Sequence, residues 1–498
     1  MIRITNSMMN NNTKNNINLN KTSADTLNTM IATGQKITKP SDDPVIAIRA
    51  LRLNTNIAQL NQYYDKNIPD ATAWLTITES ALSQTDQIFT SIKENLTTGA
   101  SDDNTESDRM KILESLKALR DQIYSSGNAD YADRTVFTGY RTSESLTVLN
   151  TDDKSTIGYT DIKEPLSSDD IDTFTYIKGV TDDYSSSVEQ DVDDVEVSRI
   201  RLAYDTIDAT NSDGSAKSYT LTYTAKGSTT PTTVTLTAES LTGTSADDDL
   251  YTDGKTHLIA DTGEIILSDE LKTALSTASD ISISYDKSSW ETGDLRPEHY
   301  FSCVDMYATD INGNPVKYNY NDNGEPDFQE QDIRYEVSFN QTITINTHAS
   351  EVYSHDIGRD VDELVELTQK VIDAGKVLTK LDEAGTDKDS DEYKAAQKAY
   401  DLLSDQCQKS FSNALTKFDN YADTTNLAIA NIGSMSARLT ITKERVADQL
   451  ESFTELADDN INAELTDTAI DLSNAELALE AAQMAASKIA QQTLLNYL

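Results

Sequence analysis

The chain has 498 residues and carries 84 Asp and Glu against 41 Lys and Arg, so its formal net charge is -43. Such a charge repels the phosphates of nucleic acids and anionic lipid headgroups, and we expect neither nucleic acid nor membrane as a partner. The first residues lack an apolar segment behind a basic start, and no run reaches ~18 consecutive apolar residues, which predicts neither a cleaved signal peptide nor a membrane span. With only Cys303 and Cys407 present, we expect free thiols and no disulfide framework.

An apolar stripe follows the first predicted helix. Ile17, Ala24 and Ile31 recur every seven residues, with Leu27 between them, in a segment otherwise rich in Asn, Thr and Lys. This spacing places four apolar side chains on one helix face. That face needs a partner before it can leave water.

A second helix is predicted to start at the segment from Ser41 to Pro44. Its side-chain oxygens can cap free amides, its acidic groups suit the positive end of the helix dipole, and its proline suits the first turn. Apolar residues then recur at spacings of three and four from Leu53 to Leu96. Pro69 lies inside this run and should kink or interrupt it.

Further amphipathic helices are predicted on both sides of the chain's middle. After a polar break, one runs through Ile112 to Ile123 and is expected to end near Gly127. Near the other end, a seam from Tyr393 to Phe453 predicts about eight turns or more of helix. The last stretch carries an apolar stripe with several small alanines: Leu472, Ala475, Leu479, Ala482, Ala486 and Ile489.

The middle of the chain predicts β-structure. Between residues 142 and 355 the composition shifts to Ser, Thr, Asp and Tyr, with alternating runs beginning at Ser218 and Ile281. The run from Ile333 to Thr347 predicts two adjacent strands, with Asn340 and Gln341 as the tight turn between them.

We therefore expect an α+β multidomain protein in which N- and C-terminal helices form a coiled-coil or helical bundle around a mostly antiparallel β insertion. Three regions are predicted: a discontinuous terminal coiled coil (1–40 plus 460–498), a discontinuous helical bundle (41–141 plus 356–459) and a β-rich outer region (142–355). The apolar seams fit either an intramolecular bundle or a bundle that leaves apolar surface for other subunits.

Candidate catalytic and metal sites are weak. The four histidines form no paired or nucleophile motif, and we expect neither an enzyme nor a cofactor. One run matches the spacing of a calcium loop: Asn319, Asn321, Asn323, Gly324 and Glu330. Its first position lacks a carboxylate, its flanks read as strand and an Asn-Gly turn explains the same residues, so no metal site is predicted.

The run TGQKITKPSDDPVIAIRA, from Thr33 to Ala50, resembles the N-terminal signature of the bacterial flagellin superfamily, in the form typical of the hook-filament junction proteins of the hook-associated protein 3 family. FTGYRT from Phe137 and IGSMSARL from Ile432 resemble other segments of the same family. The signature residues in this chain are Ser41, Asp42, Asp43, Pro44, Phe137, Gly139, Tyr140, Gly433 and Arg438.

This resemblance implies a structural subunit of the flagellum that joins hook to filament by self-assembly through its terminal helices. The implied partners are further copies in a ring, the other hook-associated protein, flagellin and an export chaperone on the C-terminal helix; the implied location is extracellular, after type III export. Two alternatives remain open: a flagellin, or, in another class, an adhesin or glycan-binding surface protein resting on the β-region. An enzyme carried on the β insertion lacks a supporting constellation of residues.

Overall fold

A computed structural model describes residues 6–101, 104–243, 247–318 and 331–495, with side chains described from residue 7 to residue 488 of these ranges. The described residues fall into two compact units. The first is made of Met1–Asp70, Glu336–Thr342 and Arg438–Leu498, and the second of Ala71–Tyr335 and Ile343–Ala437. The three-region division expected from the sequence stays a prediction.

The N-terminal part forms four long helices: α1 Asn6–Thr33, α2 Pro44–Gln62, α3 Ile68–Gly99 and α4 Glu106–Ser126. Helix α2 starts where the sequence predicts, because the Asp43 side chain accepts from the backbone amides of Val45 and Ile46 and Pro44 occupies the first turn. The predicted end of α4 is confirmed as well, with Gly127 as its capping residue.

The interruption predicted at Pro69 is a π-helical turn. Residues Tyr63–Asn67 form that turn between α2 and α3, and the amide of Ile68 donates to the carbonyl of Tyr63, five residues back. A proline has no N–H to give to the carbonyl four residues earlier, so the regular ladder breaks next to it. The helical pattern resumes immediately afterwards.

The C-terminal part is helical as predicted. It contains α8 His355–Ala384, α9 Asp391–Ile461 and α10 Leu465–Leu495. Helix α9 has 71 residues, which corresponds to roughly 105 Å at about 1.5 Å per residue. Helix α8 ends at Gly385, whose φ of 72° lies in the left-handed region that glycine adopts readily.

The middle forms a ten-stranded sheet in the order β10-β9-β1-β8-β4-β5-β6-β7-β3-β2. Neighbouring strands are antiparallel except β5 and β6, which are parallel. The strands are β1 Tyr159–Leu166, β2 Ile171–Lys178, β3 Asp193–Arg201, β4 Ser218–Thr224, β5 Thr232–Glu239, β6 His257–Ile259, β7 Glu264–Ile266, β8 Ser279–Lys287, β9 Ser302–Thr309 and β10 Pro315–Tyr318. Short helices accompany them: α5 Asp248–Thr252, α6 Asp269–Leu275 and α7 Ala349–Val352.

The alternation seen in the sequence decides which face of the sheet is buried. Tyr219, Leu221 and Tyr223 of β4 are buried, and Leu221 pairs with the buried Ile283 of β8. Because successive strand residues point to opposite faces, the intervening Ser and Thr residues are left on the more exposed side.

A separate hairpin is formed by β11 Arg334–Ser338 and β12 Gln341–Thr344. Its existence agrees with the sequence, but the predicted turn residues need a correction. The turn consists of Phe339 and Asn340, and Gln341 is already the first residue of β12. Asn340 has a φ of 53°, a left-handed conformation that Asn tolerates better than most residues.

The helices of the second unit enclose an aromatic and aliphatic core. Phe89 of α3 and Phe418 of α9 are fully buried, with ring centroids 6.0 Å apart in an edge-on arrangement. Cys407 lies in this core, and Cys303 is buried in the core of the sheet; both are free thiols, as expected.

Two arginines of β3 join the sheet to α8 within the second unit. The Nη2 atom of Arg199 donates to both carboxylate oxygens of Glu363, each at 2.8 Å. The Nη2 atom of Arg201 donates to Oδ1 of Asp360 at 2.6 Å. Lys417 and Tyr421 of α9 also donate to Asp360, each at 2.8 Å. Burial opposes the charge of Asp360, but Arg201 and Lys417 outweigh it, so its pKa lies below the ordinary value.

Candidate self-assembly surface

The stripe predicted on α1 is the face that the helix turns inward. Ile17, Ala24, Leu27 and Ile31 are all half-buried, whereas most residues between them are exposed. Asn20 belongs to the same half-buried row, but it was not predicted as a member because the stripe was defined by apolar residues and Asn20 is polar. Its position, three residues after Ile17 and four before Ala24, was the available signal.

The stripe predicted on α10 behaves in the same way. Its described members are half-buried: Leu472, Ala475, Leu479, Ala482 and Ala486. Thr468, which the sequence reasoning missed, is the buried residue at the start of this row. The side chain of Ile489 lies outside the described side chains.

These two stripes face each other, because α1 packs on α10 inside the first unit. The side-chain amide of Asn20 donates to the carbonyl of Ala478 at 3.3 Å. Beyond the helix ends, Lys36 donates its backbone amide to Ile461 at 2.7 Å, and Ala463 donates to Gly34 at 2.8 Å. The two helices therefore run antiparallel as a closed terminal pair.

Pairing α1 with α10 leaves a second apolar row in water. On α10, Ile470, Leu477 and Met484 recur every seven residues and are 56%, 67% and 62% exposed. On α1, Leu19 is 68% exposed. A seven-residue spacing keeps the three α10 residues on one helix face, which nothing in the described part of the chain covers. A single chain thus buries only the apolar stripes between α1 and α10 and leaves the outer apolar row of the pair exposed to water.

The signature residues from Ser41 to Pro44 build the turn that starts α2. Asp42 accepts from the backbone amides of Lys39 at 2.9 Å and Thr38 at 3.2 Å, and these bonds lower its pKa. Asp43 caps the helix, while Ser41 and Pro44 are exposed. This segment therefore sets the direction in which α2 leaves the terminal pair.

Three other signature residues lie in the second unit. Phe137 is buried, with its ring centroid 5.0 Å from that of Tyr353. Gly139 has a φ of 60°, and an added Cβ would overlap the Gln331 side chain. Tyr140 is exposed, and its hydroxyl donates to the Asp332 carbonyl at 3.2 Å. Their local roles are structural.

Gly433 and Arg438 lie on exposed positions of α9. Apart from the local backbone and chain neighbours of Gly433 in α9, no heavy atom lies within 4 Å of where a Cβ on this residue would be, so nothing in the described chain requires a glycine there. A glycine inside a helix is less favourable than alanine by about 0.5–1 kcal/mol. Arg438 makes no hydrogen bond or ion pair with the described residues.

The surroundings of the histidine and acidic side chains indicate structural roles. Burial lowers the pKa of His299 and His355 to about 3, so both imidazoles are neutral. Within the described ranges, no group of three or more His, Cys, Asp and Glu side chains is arranged to hold a metal ion. The calcium-like run Asn319, Asn321, Asn323, Gly324 and Glu330 lies outside the described residues.

Of the helices in the described part of the chain, none combines the length and apolar character needed to cross a bilayer.

The N-terminal part of the chain is similar to known flagellar proteins. Residues 4–142 match the family model described as the bacterial flagellin N-terminal helical region. Flagellar hook-associated protein 3 of Salmonella typhimurium is 32% identical over 117 residues, which are 23% of this chain and 37% of that protein. The Escherichia coli protein of the same name is 31% identical over 113 residues, 22% of this chain and 35% of its own length.

The chain thus spans little more than a third of the length of these curated relatives. A crystal structure of hook-associated protein 3 from Legionella pneumophila aligns with 82% of this chain and 97% of its own, at 12% identity and a TM-score of 0.32. The sequence matches confirm the predicted resemblance to hook-associated protein 3, and residues 4–142 are similar to the bacterial flagellin N-terminal helical region.

Proposed function

We propose that the chain is a structural subunit of the bacterial flagellum, a hook-associated junction protein that joins the hook to the filament. It self-assembles through its terminal helices. In this role it needs no catalytic residue and no cofactor.

The main support is the exposed apolar row on the terminal helix pair. Full burial of a Leu, Ile or Met side chain is worth about 1.5–3 kcal/mol. Ile470, Leu477, Met484 and Leu19 each leave more than half of that surface in water. Repeated contacts of this kind offset the loss of translational and rotational freedom on association, about 4–15 kcal/mol. Burial of the exposed row against neighbouring copies in a ring or tube explains why the terminal pair carries apolar residues on its outer surface as well as between its two helices.

The partners follow from the same role. We infer that copies of the chain form a ring, with the other hook-associated protein on the hook side and flagellin on the filament side. An export chaperone would cover the C-terminal helix α10 before assembly. Export through the flagellar type III apparatus places the mature protein outside the cell, and its two buried free thiols add no disulfide for export to open.

Deletion of the gene in the bacterium that encodes it tests this role. Electron microscopy of the flagella and an assay for filament protein in the medium are read together. Hooks without filaments, with unpolymerised flagellin in the medium, are the expected result.

Two other results would contradict the proposal in different ways. Disappearance of the main filament protein itself would make the chain a flagellin. Normal flagella would favour the adhesin alternative, in which the β-region binds a surface ligand. Complementation with the unaltered gene is the control for each case.

A further inference from the structure

The first unit carries two exposed helix faces of opposite charge. Helix α2 presents Val45, Ile48 and Leu51, which are 66%, 54% and 65% exposed, together with the exposed Arg49 and Arg52. Neither guanidinium makes a hydrogen bond or ion pair with the described residues. We call these five residues the α2 face; it combines an apolar ridge with two unpaired positive charges.

Helix α9 carries the opposite pattern near its C-terminal end. Exposed carboxylates recur at spacings of three and four along one side: Glu444, Asp448, Glu451, Glu455 and Asp458. None of them forms an ion pair within the described part of the chain. We call these five residues the α9 stripe.

A shallow groove runs beside the α9 stripe. Tyr64, Ala447 and Leu450 contribute apolar surface to it, and Glu451 and Glu455 line it from the acidic side. The α9 surface is therefore apolar next to a row of negative charge, and the α2 face is apolar next to positive charge. The two are complementary in both respects.

The charge distribution along the chain favours contact between these two surfaces. Residues 1–70 contain eight Lys and Arg against five Asp and Glu, a net +3, whereas residues 438–498 contain four against eleven, a net -7. With -43 on the whole chain, two copies repel each other at long range. A local contact of opposite charges is the way for two such copies to approach.

We propose that the α2 face of one copy docks on the α9 stripe of a second copy of this chain, with the Arg49 and Arg52 guanidiniums against the carboxylates and the apolar ridge in the groove. This inference deepens the proposed function, on which it rests, by naming the two halves of a self-assembly contact. The two surfaces differ, so the contact is heterologous: in a docked pair, one copy keeps its α9 stripe free and the other copy keeps its α2 face free. Such contacts propagate into rings or helical arrays.

Disulfide cross-linking between two copies tests the contact with the purified full-length chain. One copy carries Arg49→Cys and the other Glu455→Cys, and the mixture is mildly oxidised. The native thiols Cys303 and Cys407 have no exposed surface and stay out of the reaction. The control mixture combines Arg49→Cys with Lys226→Cys, an exposed position after β4.

We expect at least about tenfold more covalent heterodimer from the first mixture than from the control, since only docked surfaces hold two thiols together. Adding Arg52→Glu to the first copy should abolish this excess, and adding Glu451→Arg to the second copy should restore it. Equal yields in the first and control mixtures, or an excess that ignores both charge reversals, would overturn the proposed contact.

The outcome separates this inference from the proposed function. A specific cross-link in a protein whose deletion leaves flagella normal would keep the contact and remove the junction role. Loss of filaments on deletion, without a specific cross-link, would keep the junction role and remove this contact.

Discussion

The backbone amide of Lys36 donates to the carbonyl oxygen of Ile461 at 2.7 Å, and this bond joins the segment after α1 to the segment before α10. The return bond from Ala463 to Gly34, at 2.8 Å, makes the junction a short antiparallel bridge. Two stretches more than 400 residues apart in the sequence are thereby fixed next to each other. The terminal helix pair starts from this bridge.

Leu479→Asp is expected to open the terminal pair. Leu479 is half-buried against α1, and a carboxylate there has no partner on the facing stripe. Amide hydrogen exchange in α1 should accelerate while exchange in the sheet stays unchanged, and incorporation into flagella should be lost. Ser473→Asp adds the same charge at an exposed position of α10 and should leave exchange in α1 as it is. Normal filament attachment in the Leu479→Asp variant would contradict the proposed assembly role.

Asp43→Ala is expected to loosen the start of α2. Its carboxylate satisfies two backbone amides, at 2.9 and 3.1 Å, and loss of such a cap costs about 0.5–2 kcal/mol of helix stability. Hydrogen exchange of the first-turn amides of α2 should rise by the corresponding factor. Asp43→Asn keeps an oxygen acceptor and should behave nearly as the unaltered chain does. Equal effects of the two substitutions would argue against capping as the cause.

Asp360→Asn is expected to destabilise the second unit by up to about 3–5 kcal/mol, because it removes the buried carboxylate that pairs with Arg201 and Lys417 and leaves Glu363 as the remaining carboxylate partner of Arg201 in the described structure. The midpoint of urea unfolding of this unit should fall accordingly, whereas Asp373→Asn, at an exposed ion pair, should change it little. The lowered pKa of Asp360 also predicts a pH effect. Its contribution to stability is complete above the ordinary value of 3.8 and is lost as the pH falls through the folded-state pKa. A small effect of Asp360→Asn would show that the cluster is dispensable.

Glu164→Gln is expected to remove a pH dependence of stability. Burial raises the pKa of Glu164 from 4.5 to about 7, against the opposing bonds from Tyr285 at 2.6 Å and the Ala203 amide at 3.0 Å. Between these two values the folded chain holds a proton that the unfolded chain has lost. The contribution of Glu164 is therefore complete below 4.5 and is lost as the pH rises to about 7.

Urea midpoints at about pH 5 and about pH 8 measure this difference. The unaltered chain should lose more stability over this interval than the Glu164→Gln variant does. Glu196→Gln, at an exposed position of β3, is the matched control and should keep the original pH dependence. Identical pH dependence in the Glu164→Gln variant and the unaltered chain would contradict the assignment.

Gly433→Ala is expected to stabilise α9 by about 0.5–1 kcal/mol, because alanine is the better helix former and the space around a new Cβ is empty. Slower hydrogen exchange around residue 433 would verify this. A destabilised variant would mean that the glycine position is constrained in a way the chain alone does not show.

Local signals were sufficient for much of the fold. Spacings of three and four predicted the helices, and the predicted stripe residues whose side chains are described are half-buried, whereas Asn20 and Thr468 escaped an apolar pattern because they are polar. Asp43 and Pro44 indicated the start of α2, and Pro69 indicated the break in the helix, which is a π-helical turn in the structure. Both features could be predicted because a capping oxygen and a missing N–H act within a few residues. The alternation around Ile281 likewise predicted the buried face of β8.

The partners of these elements were decided by the tertiary structure. The sequence did not indicate that β1 lies beside β8, that β5 and β6 run parallel, or that Arg201 meets Asp360. It also did not show which charges remain unpaired, as Arg49 and Glu455 do in the described structure. Periodicity and capping are properties of neighbouring residues, whereas strand order, ion-pair partners and exposed faces depend on contacts between segments that only the folded chain brings together.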